Sequence, residues 1–181
     1  MQKCAFFDRD GVINQDNGYV YKIEDFIFCD GLFGLLETLK AQHYLLLVIT
    51  NQSGIARGFY SESDLNTLHC SMQEQLKAQL GFGFDRIYYC PHLPSENCDC
   101  RKPKIGMIQA ACKDFDIDLA HSFFVGDKIT DMQCAQSANI NGKFLLADTQ
   151  VNDNSLKNVQ KIATLHQLHS IIRNLTFKEQ E

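Results

Sequence analysis

Cys4-Ala5-Phe6-Phe7-Asp8-Arg9-Asp10-Gly11 opens with four apolar residues and stops abruptly at two carboxylates and a glycine. A short apolar run cut off by charge reads as a strand buried on both faces, as in a parallel sheet. Gly11 permits a tight turn beneath the acids. Similar runs recur at residues 45–49 (Leu-Leu-Leu-Val-Ile), 87–89, 122–125 and 143–146. Between them, helical spacing predicts helices over 32–42, 61–80, 105–113 and 131–138, with a last one over 165–175. Ser61, followed by Glu62 and Asp64, has the residue types of a helix N-terminus. Strands alternating with helices predict a Rossmann-like α/β fold: one open, mainly parallel sheet of five or six strands with helices on both faces. Residues 8–50 and 50–102 are each filled by one helix, one strand and short loops, so the fold is expected to be capless. Residues 1–181 are expected to form one domain.

Composition agrees with that reading. Of 181 residues, 45% are hydrophobic and 22% charged, enough to bury a core and too apolar for a disordered chain. Seventeen Lys and Arg against 22 Asp and Glu leave a net charge of −5, a poor footprint for nucleic acid or an anionic membrane. No nucleic-acid or membrane partner is expected. The first residues lack the long apolar segment of an export signal, and no run approaches a membrane span. The expectation is a cytoplasmic monomer. The eight cysteines are then reduced thiols, some of them metal ligands, and not a disulfide scaffold.

An open α/β sheet binds its ligands at the carboxyl ends of its strands. The polar residues fall there: Asp8 and Asp10 after the first run, Thr50 and Asn51 after the second, Cys90 and His92 after the third, Asp127 after the fourth. Val125-Gly126-Asp127-Lys128-Ile129-Thr130-Asp131 repeats the pattern of a strand, a glycine and acids. Acids from two strand ends make a hard oxygen site suited to Mg²⁺. Thr50-Asn51-Gln52-Ser53-Gly54 adds a hydroxyl, amides and backbone N–H groups suited to phosphate oxygens, and Arg101-Lys102-Pro103-Lys104 adds cations. Together these elements describe phosphoryl transfer, where positioning and charge neutralisation carry most of the catalysis.

Cys90-Pro91-His92 and Cys98-Asp99-Cys100 place three thiols and an imidazole within eleven residues. That set closes a tetrahedral shell around Zn²⁺ with no open position, so the zinc loop 90–100 is expected to be structural and to stiffen the cations that follow. Cys4, Cys29, Cys70, Cys112 and Cys134 read as small core residues. The remaining histidines, His69 among them, read as surface or capping groups.

Asp8-Arg9-Asp10-Gly11, Thr50-Asn51-Gln52-Ser53-Gly54, Arg101-Lys102-Pro103 and Gly126-Asp127-Lys128-x-x-Asp131 resemble the four ordered motifs of haloacid-dehalogenase-superfamily phosphatases. Residues 16–20 (Asp-Asn-Gly-Tyr-Val), 50–58 and 126–133 are similar to the D-glycero-D-manno-heptose 1,7-bisphosphate 7-phosphatases of bacterial surface-sugar synthesis. The compact 90–104 segment resembles the histidinol-phosphate phosphatases. The resemblance implies Asp8 as nucleophile and Asp10 as acid, then base. It implies Mg²⁺ on Asp8, the Asp10 carbonyl and Asp127, with Asp131 orienting that shell. Thr50 and Lys102 would stabilise the phosphoryl oxygens, while Asp16, Asn17, Gly18, Tyr19, Asn51, Gln52, Ser53, Arg101 and Lys128 would contact the substrate. Heptose bisphosphate is the favoured substrate and histidinol phosphate, an amino-alcohol phosphate, the alternative. A polynucleotide phosphatase, admitted by an open site, and a zinc-bearing binding module are more distant readings.

Overall fold

A computed structural model describes residues 1–146 and 155–178, with side chains to residue 174. Six strands form one sheet: β1 (Cys4–Phe7), β2 (Leu45–Asn51), β3 (Arg86–Cys90), β4 (Phe123–Gly126), β5 (Gly142–Leu146) and β6 (Val159–Ile162). The order is β3-β2-β1-β4-β5-β6, and every pairing is parallel. The helices are α1 (Leu32–Ala41), α2 (Glu62–Leu80), α3 (Gly106–Asp114), α4 (Ile129–Ser137) and α5 (Leu165–Lys178). β6 is the strand that no apolar run announces. In Val-Gln-Lys-Ile two exposed polar residues separate the two apolar ones, and the strand lies at the sheet edge, where polar side chains face water.

Side chains alternate between two cores, one on each face of the sheet. Ala5 and Phe7 of β1 with Leu46 and Val48 of β2 meet Leu35 and Leu39 of α1, Leu68 and Met72 of α2, and Leu168 of α5. Cys4 and Phe6 with Leu47 and Ile49 meet Met107 and Ile108 of α3 and Met132 of α4. This two-sided burial is why β1 and β2 read as unbroken apolar runs. Ser61 and Asp64 close a reciprocal capping box at the start of α2. Gly11 turns the chain after β1 with φ of 83°. Cys4 and Cys134 are buried as expected. Cys70 and Cys112 are exposed, because α2 and α3 turn those positions away from the sheet.

Candidate active site

Register places the strand ends on one rim: Phe7 pairs with Val48 and Val125, and Asn51 pairs with Cys90. A cavity of about 610 Å³ opens there, lined by Asp8, Asp10, Asp16, Gly18, Tyr19, Asn51, Gln52, Ser53, Arg101, Lys102, Lys128 and Asp131. Tyr60, Pro94, Pro103 and Thr130 complete the lining. Among the anticipated residues of this rim, Asn17, Thr50 and Asp127 are not part of the lining: Asn17 is exposed, Thr50 buried and Asp127 half-buried.

Asp8 follows β1 into a buried position, where Oδ1 accepts from the Arg9 backbone N–H at 2.7 Å and lies 2.9 Å from Lys102 Nζ. Burial is the main force on its carboxyl and Asp131 adds to it; against Lys102 they push it up to about 7. Asp127 follows β4 and is raised to about 6 by burial, against the nearby Lys128 ammonium. The oxygens of Asp8, Asp127 and Asp131 lie within 4.8 Å of one another. Asp8 and Asp131 share one buried ammonium, Lys102, while Asp127 has the half-exposed Lys128 at 3.7 Å, so three carboxylates face two cations. Oδ1 of Asp127 is buried with no hydrogen-bond partner. Such an orphaned oxygen beside two more carboxylates is the donor set of a hard divalent cation.

Lys102 is itself over-determined. Burial alone would strip its proton, but Asp131 and Asp8 outweigh that and hold it charged. Its Nζ also donates to the Ile49 carbonyl at 2.7 Å. Asn51, expected as a substrate contact, spends its amide on the backbone of residue 102: Oδ1 accepts from the Lys102 N–H at 3.0 Å and Nδ2 donates to its carbonyl at 3.2 Å. Asn51 therefore fixes the height of Lys102 at the rim. Lys128 Nζ reaches 3.4 Å from Asp16 and 3.7 Å from Asp127, tying the 16–19 loop to the fourth strand end.

Sequence reading missed the surroundings of Asp10. Arg9 is wholly buried; its Nη2 donates to Asp10 Oδ1 at 2.7 Å and Oδ2 at 2.9 Å. His69, expected at the surface, is buried on α2 with Nε2 3.3 Å from Arg9 Nη1. Burial, reinforced by the Arg9 charge, lowers the imidazole to about 3, so it is neutral and accepts. The signal was present: Leu65, Leu68, His69, Met72 and Leu76 share the buried stripe of α2.

The second cluster stands at the end of β3. Cys90 Sγ lies 3.5 Å from Cys98 Sγ, 3.1 Å from Cys100 Sγ and 3.6 Å from His92 Nδ1, with His92 Nδ1 3.3 Å from Cys100. A tetrahedron of donors about 2.3 Å from one ion has edges of roughly 3.5–3.8 Å, so the set is close to the shape zinc requires. The loop is joined to the cavity through Arg101, whose Nη1 donates to the His92 carbonyl at 3.2 Å.

Residues 3–162 match the family model described as polynucleotide kinase 3 phosphatase. Over 164 residues the chain is 48% identical to a D-glycero-alpha-D-manno-heptose-1,7-bisphosphate 7-phosphatase of Campylobacter jejuni, covering 88% of this chain and 93% of that one. It is 49% identical over 144 residues to a D-glycero-beta-D-manno-heptose-1,7-bisphosphate 7-phosphatase of Helicobacter pylori, covering 80% and 83%. The structure superposes on that of a D,D-heptose 1,7-bisphosphate phosphatase from B. bronchiseptica, complexed with magnesium and phosphate. The TM-score is 0.83 at 31% identity, over 96% of this chain and 99% of that one. With its strand order, its rim of acids and this breadth of similarity, the chain belongs to the heptose-1,7-bisphosphate 7-phosphatase family of haloacid-dehalogenase-like phosphatases.

Proposed function

We propose that this protein removes the 7-phosphate of a D-glycero-D-manno-heptose 1,7-bisphosphate by way of an aspartyl-phosphate on Asp8, as a step of bacterial surface-sugar synthesis. The observation that carries the reading is the cluster of Asp8, Asp127 and Asp131 around Lys102, with Asp10 beside it, in a chain close to half identical to phosphatases named for that sugar.

Asp8 is the nucleophile. Its carboxylate oxygen forms a bond to phosphorus as the bond from phosphorus to the sugar oxygen breaks, and Asp10 gives its proton to that leaving oxygen. Asp10 then takes a proton from a water that attacks phosphorus, releasing inorganic phosphate and freeing Asp8. Lys102 and Thr50 hold the phosphoryl oxygens, while Asp16, Asn17, Gly18, Tyr19, Ser53, Arg101 and Lys128 receive the remainder of the substrate. Asp8, the Asp10 carbonyl and Asp127 would hold Mg²⁺, with Asp131 behind them, and the ion supplies the charge neutralisation that lets a carboxylate approach an anionic phosphoryl group. Cys90, His92, Cys98 and Cys100 would hold a structural Zn²⁺. Ligands of this kind need reduced thiols, which suits a cytoplasmic enzyme. No helix among the described residues is long and apolar enough to cross a membrane.

A second reading, histidinol-phosphate hydrolysis, is favoured by the compact segment from Cys90 to Lys104. Phosphate release from heptose bisphosphate, histidinol phosphate and a 3′-phosphorylated oligonucleotide, measured side by side with Asp8→Asn as the blank, separates the readings. Heptose bisphosphate should give the highest kcat/KM. A higher value for histidinol phosphate or the oligonucleotide would replace the sugar assignment.

A further inference from the structure

Asp10 is held from two sides by groups outside the motifs' expected roles. On one side, Arg9 spends nearly its whole guanidinium on it: Nε and Nη2 donate to Oδ1 at 3.1 and 2.7 Å, and Nη2 also reaches Oδ2 at 2.9 Å. The remaining bonds of Arg9 anchor the fork itself, to the Val20 carbonyl at 2.7 Å and to neutral His69. On the other side, Gln52 Nε2 donates to Asp10 Oδ2 at 2.9 Å and to Thr50 Oγ1 at 2.8 Å.

Gln52, expected to touch substrate, borders the cavity but is only 2% exposed, and both ends of its amide are hydrogen-bonded within the protein. An amide can turn over, which would aim its oxygen at the Asp10 carboxylate. The acceptor-only Asp10 carboxylate draws Nε2 toward itself, and the amide is anchored at its other end by Tyr60, whose hydroxyl donates to Gln52 Oε1 at 2.6 Å. Tyr60 has little room to move. Its ring stacks on Tyr21 with centroids 5.0 Å apart, and it lies against Gly54 so closely that a Cβ there would come 2.6 Å from Cζ. Burial pushes its phenol up to about 12, so it keeps the proton it donates.

We infer that Tyr60 is a positioning residue for Asp10, acting through Gln52 and opposed by the Arg9 clamp. This rests on the reading of Asp10 as general acid and base. A carboxylate that gives a proton to one oxygen and later takes one from another must keep a fixed direction toward both, and a misplacement of about 1 Å costs on the order of 100-fold. Arg9 fixes one flank together with Asn14, whose Nδ2 donates to Asp10 Oδ1 at 3.1 Å. The Tyr60–Gln52 arm fixes the other and couples it to Thr50, so acid and phosphoryl-binding hydroxyl share one frame.

The test is Tyr60→Phe, which keeps the stacked ring and removes only the hydroxyl. Single-turnover phosphorylation is measured with p-nitrophenyl phosphate, a good leaving group, and with the best alkyl phosphate of the substrate panel, a poor one. Near-wild-type circular dichroism is required of each variant. The alkyl ester should slow by roughly 10-fold, as expected for one buried hydrogen bond, with KM changed by less than about twofold. The aryl ester, which needs little protonation, should lose less than about threefold. In a Gln52→Ala background, Tyr60→Phe should cost nothing further. Equal losses on both esters, an effect confined to KM, or a loss that survives in Gln52→Ala would overturn the inference. Asp10→Asn is run in parallel. If it too fails to discriminate the esters, the acid assignment of Asp10 falls and this inference with it. If it discriminates while Tyr60→Phe does not, this inference alone falls.

Discussion

Lys102 Nζ lies 2.7 Å from Asp131 Oδ1, and on its other side 2.9 Å from Asp8 Oδ1. One ammonium thus joins the loop after the thiol cluster to the first turn of α4 and the end of β1. All three side chains are nearly inaccessible to water, so the contact is electrostatically strong and costly to leave half-made.

Lys102→Met should therefore cost more than its contacts with substrate. Two buried carboxylates lose the ammonium they share, and the folded state should lose about 3–5 kcal/mol in urea titration without Mg²⁺. Added Mg²⁺ should return part of that stability while turnover stays near background. A variant as stable as wild type would show that Lys102 is not paired in solution.

The raised carboxyls give Mg²⁺ binding a defined pH dependence. Asp8 at about 7 and Asp127 at about 6 hold protons in the folded chain that the unfolded chain releases near pH 3.8. The unfolded state then binds fewer protons, so without Mg²⁺ the contribution of these groups to stability falls as pH rises from about 4 to about 7. Mg²⁺ needs the ionised oxygens. Its increment in Tm should therefore grow between roughly pH 5.5 and pH 7.5. An increment that stays flat across this window would remove these acids as ligands.

Gly126→Ala tests the same site by crowding. A Cβ there would press on the Asp131 side chain, coming 2.6 Å from its Cγ. Asp131 must move, and it carries both the Lys102 contact and a hydrogen bond from the Lys128 N–H at 3.1 Å. The variant should lose about 1–3 kcal/mol and bind Mg²⁺ more weakly by titration calorimetry. Unchanged Mg²⁺ affinity would separate Asp131 from the cation site.

The thiol cluster is tested by Cys98→Ser and elemental analysis. Protein purified without chelator should carry one zinc per chain, and mild EDTA should remove activity that Mg²⁺ alone restores. Cys98→Ser should raise KM through Arg101 and Lys102, even in saturating Mg²⁺, while circular dichroism stays near wild type. Zinc-free protein, or unchanged kinetics in the variant, would leave the cluster without a structural role.

Local patterns in the chain were enough to place most of its elements. β1 and β2 were legible because strands buried on both faces must be apolar without a break. α2 was legible from its cap and stripe, and the grouping of Cys90, His92, Cys98 and Cys100 from spacing alone. The same stripe carried His69, whose burial could have been read from its neighbours. β6 was not legible, since a four-residue edge strand with two exposed polar residues between its apolar ends shows neither an apolar run nor a period of two.

What the sequence by itself determined was the kind of element at each position and the chemistry at each strand end, because both depend on residues adjacent along the chain. Tertiary structure decided which of those groups meet. Asn51 holds the backbone of residue 102 while lining the cavity, Arg9 folds back on its neighbour Asp10, and the Gln52 amide is held between Asp10 and Tyr60. These contacts follow from strand order and from where α2 lies over the sheet, and long-range packing fixes those in a way no local period records.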